Sequence, residues 1–366
     1  MNLTTPREPL LQQLQFVTTV APTRSPRAIL CDVLISVEGK TVELTATDGE
    51  IHVRRQYTHD DVSGSGTAAI PAQTLLQSVR LIGDEMLTIE QVDQTHEIRS
   101  DRTFYKINGD DPEMFPLIPM VEDSEAIEIS LAAFSDLCQR TMFAAAKDLG
   151  RYAFNGVLVE IDPESVTLVA TDGRRLALAE MAGPTGISER RSAVVPQKGL
   201  LQLQRMVADE DAMLRIELTR SLAVFRMPDA MVMAQLVEGE FPDFRAVVPK
   251  EEDVPVSVAL RRGELAAAID RAAIMTSSEA PTLRLSFSEG QLTIEAKQEG
   301  KGETRSDMAV TYDGTPFEIR FNPTYLGEYL KTTPEDEVSF RFKDRASAGM
   351  FTASTNSRYV VMPITS

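Results

Sequence analysis

LVATDGRRLA, Leu168 to Ala177, is an apolar run that stops at Thr171-Asp172-Gly173 and restarts behind two arginines. LTATDG, Leu44 to Gly49, writes its first part earlier in the chain. The run before each Thr-Asp-Gly alternates with period two, which is the pattern of a half-buried strand. Thr-Asp-Gly itself reads as a hairpin turn, with glycine at the positive φ that other residues resist. Two copies of one strand and turn imply an internal repeat, which decides the architecture.

Other segments repeat at a similar offset. IPAQTLLQSVR (Ile70 to Arg80) matches VPQKGLLQLQR (Val195 to Arg205), and FNPTYLGEYLK (Phe321 to Lys331) follows with the same apolar spacing. EMFPLIP (Glu113 to Pro119) matches GEFPDFR (Gly239 to Arg245). GQLTIEA (Gly290 to Ala296) stands where the third strand belongs but lacks the turn. The unit is about 120 residues and occurs three times. Phe115-Pro116 and Phe241-Pro242 close the first two units, and acidic proline-bearing stretches follow as extended linkers. The expected domains are 1–122, 123–250 and 251–366. Helical spacing predicts two helices per unit: Pro6 to Val20, Ala72 to Ile82, Leu131 to Asp148, Lys198 to Val207, Leu260 to Met275 and Pro323 to Thr332. The N-terminal MNLTTPREPLLQQLQ reads as a polar helix pattern and not as a signal peptide. Each unit is expected to be an α+β domain, a sheet with two helices on one face.

The chain of 366 residues is 43% hydrophobic, enough for several full cores. No apolar run is long enough to span a bilayer. Two distant cysteines, Cys31 and Cys138, suggest no disulfide framework and a cytoplasmic location. The net charge of -18 argues against a nucleic-acid partner when taken as a whole. Its distribution argues otherwise. The six predicted helices hold 10 Lys+Arg against 6 Asp+Glu, while the remainder holds 27 against 49. Single cations scattered over three repeats suit weak, sequence-independent contact with a polyanion. Solvated arginines on exposed helix faces would give the same count.

Catalytic constellations are sparse. His52, His59 and His96 fit no HExxH or zinc-ribbon spacing. Asp60-Asp61 and Asp110-Asp111 could ligate a nuclease metal, but both adjoin turn-like sequence. There is no GxxxxGK[ST] phosphate loop, and neither cysteine has a histidine near it in sequence. No cofactor, metal site or catalytic residue is expected. The rival reading is a metal-dependent DNA-processing enzyme built on repeats.

Five motifs in register carry a resemblance over the whole chain: ATDGRRLA (Ala170 to Ala177), NGVLVE (Asn155 to Glu160), VPQKGLLQLQRM (Val195 to Met206), EGEFPDF (Glu238 to Phe244) and YVVMPI (Tyr359 to Ile364). They resemble the bacterial DNA polymerase III beta subunit family, the sliding clamps. The resemblance implies a DNA clamp fold of three similar domains, sheets outside and helices inside. It also implies a head-to-tail homodimeric ring around duplex DNA that confers processivity on the replicative polymerase. Clamp loader, polymerase and other replication and repair proteins are the implied partners, with no membrane and no enzymatic activity.

Site residues follow by position. The resemblance implies a partner-peptide pocket of Phe154, Thr171, Gly173, Arg174, Arg175 and Leu176, with Pro242 and Val247 from the linker. Asn322, Tyr325, Val360, Met362, Pro363 and Ile364 complete it. An apolar pocket would take the leucine and phenylalanine of a short extended motif, and polar groups at its mouth would hold a glutamine. The arginines are expected to keep the turn exposed. DNA contacts are implied at Arg24, Arg80, Arg151, Tyr152, Lys198 and Arg205. The subunit boundary is implied at Tyr105, Ile107, Ile274 and Met275, for which buried core is the rival reading. The chain departs from the family pattern at Arg174, where an aromatic or histidine is common, and in its Ile-Thr-Ser terminus.

Overall fold

The computed structural model describes residues 1–119, 125–147, 154–206 and 211–365. It divides into two compact units, each made of two chain segments: Met1–Leu131 with Lys198–Leu236, and Ala132–Gln197 with Val237–Ser366. Six α-helices are present among the described residues: α1 (Arg7–Val17), α2 (Ala72–Leu81), α3 (Leu131–Thr141), α4 (Gln197–Gln204), α5 (Arg262–Ile274) and α6 (Pro323–Thr332). No helix among the described residues is long and apolar enough to cross a membrane.

The first unit is built on a twelve-stranded sheet, antiparallel throughout. Its edge strands are Phe104–Asn108 and Ala126–Ser130. In its middle, Ile51–Thr58 of the first repeat pairs with Ala230–Gln235 of the second, in the register Ile51↔Ala234 to Arg55↔Ala230. α1 and α2 pack together, burying Leu10, Leu14 and Val17 on one side and Leu75, Leu76 and Val79 on the other. These spacings of three and four place each set on one helix face.

The second unit repeats the device. An eight-stranded sheet joins Arg175–Ala182 of the second repeat to Ser357–Val361 of the third, with Arg175↔Val361 and Ala179↔Ser357 as the limits of the pairing. A separate four-stranded sheet has Gly302–Ala309 and Phe317–Phe321 at its edges. α5 packs on α6 through Leu265, Ala268, Ile269 and Ala272. Tyr359 lies buried at the strand's centre, stacked on Tyr329 of α6 with ring centroids 4.7 Å apart.

The sheets therefore run across repeat boundaries, where the sequence suggests one sheet per repeat. Three further corrections concern local structure. The N-terminus begins as a strand, Asn2–Pro6, paired with Met86–Val92, and α1 starts only at Arg7. Leu3 and Thr5 alternate inward with period two, and Pro6 lacks the N–H needed to continue the ladder. α3 stops at Thr141, whose hydroxyl bonds back to the Leu137 carbonyl at 2.7 Å, and a 3-10 turn follows over Met142–Ala144. The expected fifth helix loses its first residues to the strand Val256–Arg261.

Candidate functional site

The site is built on the Thr171-Asp172-Gly173 turn between the strands Ser165–Thr171 and Arg175–Ala182. Gly173 has φ of 85°. Thr171 is buried, and its hydroxyl donates to the Arg175 carbonyl at 2.6 Å while accepting from Gly173 N–H at 3.1 Å. Asp172 Oδ1 accepts from the amides of Arg174 and Arg175 at 2.9 and 3.0 Å. Thr171 thus shapes the turn, and its one hydroxyl proton is committed within it.

Arg175 overturns its expected role. Its side chain is only 3% exposed. Nε pairs with Asp172 at 3.0 Å, Nη1 with Glu328 at 2.6 Å, and Nη2 donates to the Phe143 carbonyl at 2.8 Å. The guanidinium lies over the Tyr325 ring, 4.5 Å from its centroid. Burial opposes its charge, but Tyr359, Glu328 and Asp172 together hold its pKa above the ordinary range. Arg175 ties the turn to α6 and keeps nothing exposed. Of the two arginines only Arg174 is exposed, beside the exposed Gly173.

On one side of the turn lies a cleft of about 700 Å³ between Asp172–Arg175, the Ala145–Lys147 loop and the first turns of α6 at Thr324, Tyr325 and Glu328. Of the expected pocket residues it gathers Gly173, Arg174, Arg175 and Tyr325. Asn322 caps α6, its Oδ1 accepting from Thr324 N–H at 2.9 Å. Glu328 bridges Arg175 and Lys147. Burial raises its pKa, but hydrogen bonds from Lys147 and Arg175 outweigh burial and hold the carboxyl below its usual range.

The other face of the same strand is apolar. Side chains alternate along a strand, so Leu176 and Leu178 face away from Arg175. Leu176 pairs across the ladder with Val360. Both are buried in one cluster with Val169, Leu178, Met350 and Phe244. Val237, Phe241 and Val248 pack over it, so the expected linker is a strap on the sheet. Val247 and Met362 are 53% and 46% exposed, and Pro242 is exposed. Met362 N–H donates to the Arg174 carbonyl at 2.9 Å, and Ile364 N–H to the Arg320 carbonyl at 2.9 Å. Pro363 and Ile364 are half-buried, as is Phe154, whose carbonyl accepts from Ala146 N–H. The exposed Arg174 and Met362 thus adjoin, with the cleft on one side and the apolar cluster on the other.

Sequence reasoning missed Lys147, Phe143, Glu328 and Tyr359. Glu328 had a signal, since it follows Tyr325 and Thr324 by three and four residues on one helix face.

Of the expected DNA contacts, Arg24, Arg80, Lys198 and Arg205 all belong to the first unit and are exposed. Arg80 sits in the last turn of α2. Lys198 is paired with Asp48 of the first Thr-Asp-Gly turn. Arg151 and Tyr152 lie outside the described residues. Several of the cations counted in the predicted helices are ion-paired: Arg7 with Glu8, Arg140 with Asp136 and Glu335, Lys147 with Glu328 and Arg261 with Glu264. The helical surplus of positive charge is therefore smaller in effect than the count suggests.

Of the expected boundary residues, Ile107 is buried and Tyr105 half-buried on the edge strand Phe104–Asn108. Ile274 is 62% exposed at the end of α5, so it is not core. Met275 caps that helix and lies against Gly302. Among the described residues, no three His, Cys, Asp or Glu side chains are placed to hold a metal ion.

Family models described as the N-terminal, central and C-terminal domains of the DNA polymerase III beta subunit match residues 1–119, 128–243 and 245–365. A beta sliding clamp of Pseudomonas putida is 30% identical over the full length of both chains. One of Chlamydia muridarum is 29% identical, covering this chain fully and 99% of the other. Among solved structures, a sliding clamp of Pseudomonas aeruginosa bound to griselimycin superposes with a TM-score of 0.94 at 29% identity, covering all of both chains. One of Bartonella birtlesii, also bound to griselimycin, gives 0.93 at 27% with the same coverage.

Proposed function

The chain belongs to the DNA polymerase III beta subunit family, and from that premise we propose how it serves as a sliding clamp. It acts as a processivity factor with no chemistry of its own. The observation that carries this reading is the agreement of all three domain models, in order, along the whole chain. We take the domains as 1–122, 123–250 and 251–366.

The sheet pattern supports closure by a second copy. The second strand of each of the first two hairpins pairs with the last strand of the following repeat: Ile51–Thr58 with Ala230–Gln235, and Arg175–Ala182 with Ser357–Val361. The third hairpin's second strand, Gly302–Ala309, is an edge. The last strand of the first repeat, Phe104–Asn108, is an edge too. Pairing these two between copies completes the series head to tail, and two such seams close a dimer. α2 packs on Phe104–Asn108 and α5 on Gly302–Ala309. Tyr105 and Ile107 would then meet Ile274 and Met275 on the helix-bearing side.

Such a ring, in the cytoplasm, is held on DNA by topology. Arg24, Arg80 and Arg205, with Lys198 and the two loop residues Arg151 and Tyr152, supply weak phosphate contact that permits sliding. Partner segments bind at the second turn. Their apolar pair lies on Val247, Met362, Leu176, Val360 and Pro242, and their glutamine meets Arg174, Asn322 and Tyr325. The chain carries no phosphate loop, so an ATP-driven loader opens the ring.

The test is retention. Protein loaded on nicked circular plasmid stays bound through gel filtration and is released when the plasmid is linearised. Equal retention on both forms, or cleavage of the plasmid in Mg²⁺, contradicts the proposal.

A further inference from the structure

A second cleft, about 400 Å³, lies between the sheet and the strap. Its floor is Thr167, Leu178, Glu180 and Arg358, and its wall includes Phe244 and Val248. Leu178, Phe244 and Val248 belong to the same apolar cluster as Leu176 and Val360. The cleft therefore borders the apolar cluster that carries Leu176 and Val360.

Its charges fall into two groups. Arg245 is held by Glu160 at 2.7 Å, Glu251 by Arg341 at 3.1 Å, and Lys250 lies 3.9 Å from Glu252. Arg358 and Glu180, both half-exposed, have no ion pair or side-chain hydrogen bond among the described residues. They occupy successive levels of the ladder. Val360 is opposite Leu176, Arg358 is opposite Leu178, and Glu180 N–H donates to the Asn356 carbonyl at 2.8 Å one level further on. Levels two residues apart are about 7 Å apart, the same spacing as alternate side chains of any extended segment laid along them.

We propose that this cleft extends the partner groove and selects the charge order of the residues after the apolar pair: a carboxylate first, on Arg358, then a cation two residues later, on Glu180. The order follows from placing the glutamine near Arg174 and the apolar pair at Leu176, so that the segment runs on toward Leu178 and Glu180. The inference rests on the partner-site reading above. A partner chain is favoured over a small ligand because the cleft is an open trough with opposite charges in sequence.

Three fluorescein-labelled peptides test it by anisotropy on the full-length protein. One ends at a glutamine-containing motif with a Leu-Phe pair. The other two extend it by acid-x-base or base-x-acid, with identical composition. Acid-x-base is expected to bind about fivefold more tightly than its reverse, as two half-exposed ion pairs allow. Arg358→Gln and Glu180→Gln each cut that ratio to about twofold or less and leave the unextended peptide's affinity unchanged. Equal affinity for both orders, with the unextended peptide bound, overturns the inference. So does a ratio untouched by Arg358→Gln. Failure of the unextended peptide to bind overturns the underlying site instead.

Discussion

The two Thr-Asp-Gly turns share one scaffold and differ in what hangs on it. Thr47 donates to the Ile51 carbonyl at 2.9 Å as Thr171 does to that of Arg175 at 2.6 Å. Asp48 Oδ1 accepts from Glu50 and Ile51 as Asp172 Oδ1 does from Arg174 and Arg175. Gly49 and Gly173 both take positive φ, 100° and 85°. Even the neighbouring chain docks alike: Gln235 N–H donates to Glu50, and Met362 N–H to Arg174, both at 2.9 Å. Against this identity the side chains diverge. The first copy presents Glu50, Ile51, His52 and Gln235, and the second Arg174, Arg175, Leu176 and Met362. A duplicated backbone gives two equivalent places, and under the proposed function it is the side chains that make only the second a binding site.

The largest contrast lies in the cation that each aspartate holds. Arg175→Met leaves Asp172 without its cation and Glu328 with Lys147 alone, in a largely buried setting, and is expected to cost about 3–5 kcal/mol in urea unfolding. Lys198→Met removes a half-exposed partner of Asp48 and belongs at the other extreme, at most about 1 kcal/mol. Similar losses for both would show that the second turn is no more tied down than the first. Between these lies the shared threonine. Thr47→Val and Thr171→Val each leave a turn amide without its acceptor and are expected to cost about 1–3 kcal/mol, equal within error. Unequal costs would break the claim of one scaffold.

Acid titration sharpens the contrast further. Glu328 has a folded pKa below its ordinary value near 4.5. A carboxyl depressed in this way stabilises the fold above its ordinary pKa, and the contribution is lost as pH falls through the depressed value. Glu328→Gln is expected to be about 1–2 kcal/mol less stable than the parent at pH 7. The gap should narrow as pH falls below the ordinary carboxyl range and close once pH is below the depressed value. A gap that persists in acid would locate the loss in packing.

The sequence revealed these turns because their signal is local: three residues flanked by period-two strands. α6 was legible end to end for the same reason, with its Asn-Pro start and its apolar spacing. Pairing across repeats was not legible. Alternation says which face of Ile51–Thr58 is buried and nothing about Ala230–Gln235 as its neighbour. The strand Asn2–Pro6 is too short for periodicity to separate it from the helix it precedes. Arg175 misled because its tether, Glu328, is distant in sequence, and an arginine beside a turn reads as solvated until its partner is found. The resemblance implied an apolar junction of Leu176 and Val360 with Pro242 and Val247, but the packing of Phe244 and Val248 over the sheet was not legible, since an acidic proline-bearing stretch reads as an extended linker.

Exchanging side chains between the two copies tests the central claim most directly. Arg174→Glu with Met362→Gln gives the second turn the first turn's surface. Glu50→Arg with Gln235→Met does the reverse. Measured by anisotropy with the Leu-Phe peptide, the first pair is expected to weaken binding at least about tenfold, about 1.4 kcal/mol, and the second to leave it unchanged. Undiminished binding in the first pair would contradict the account.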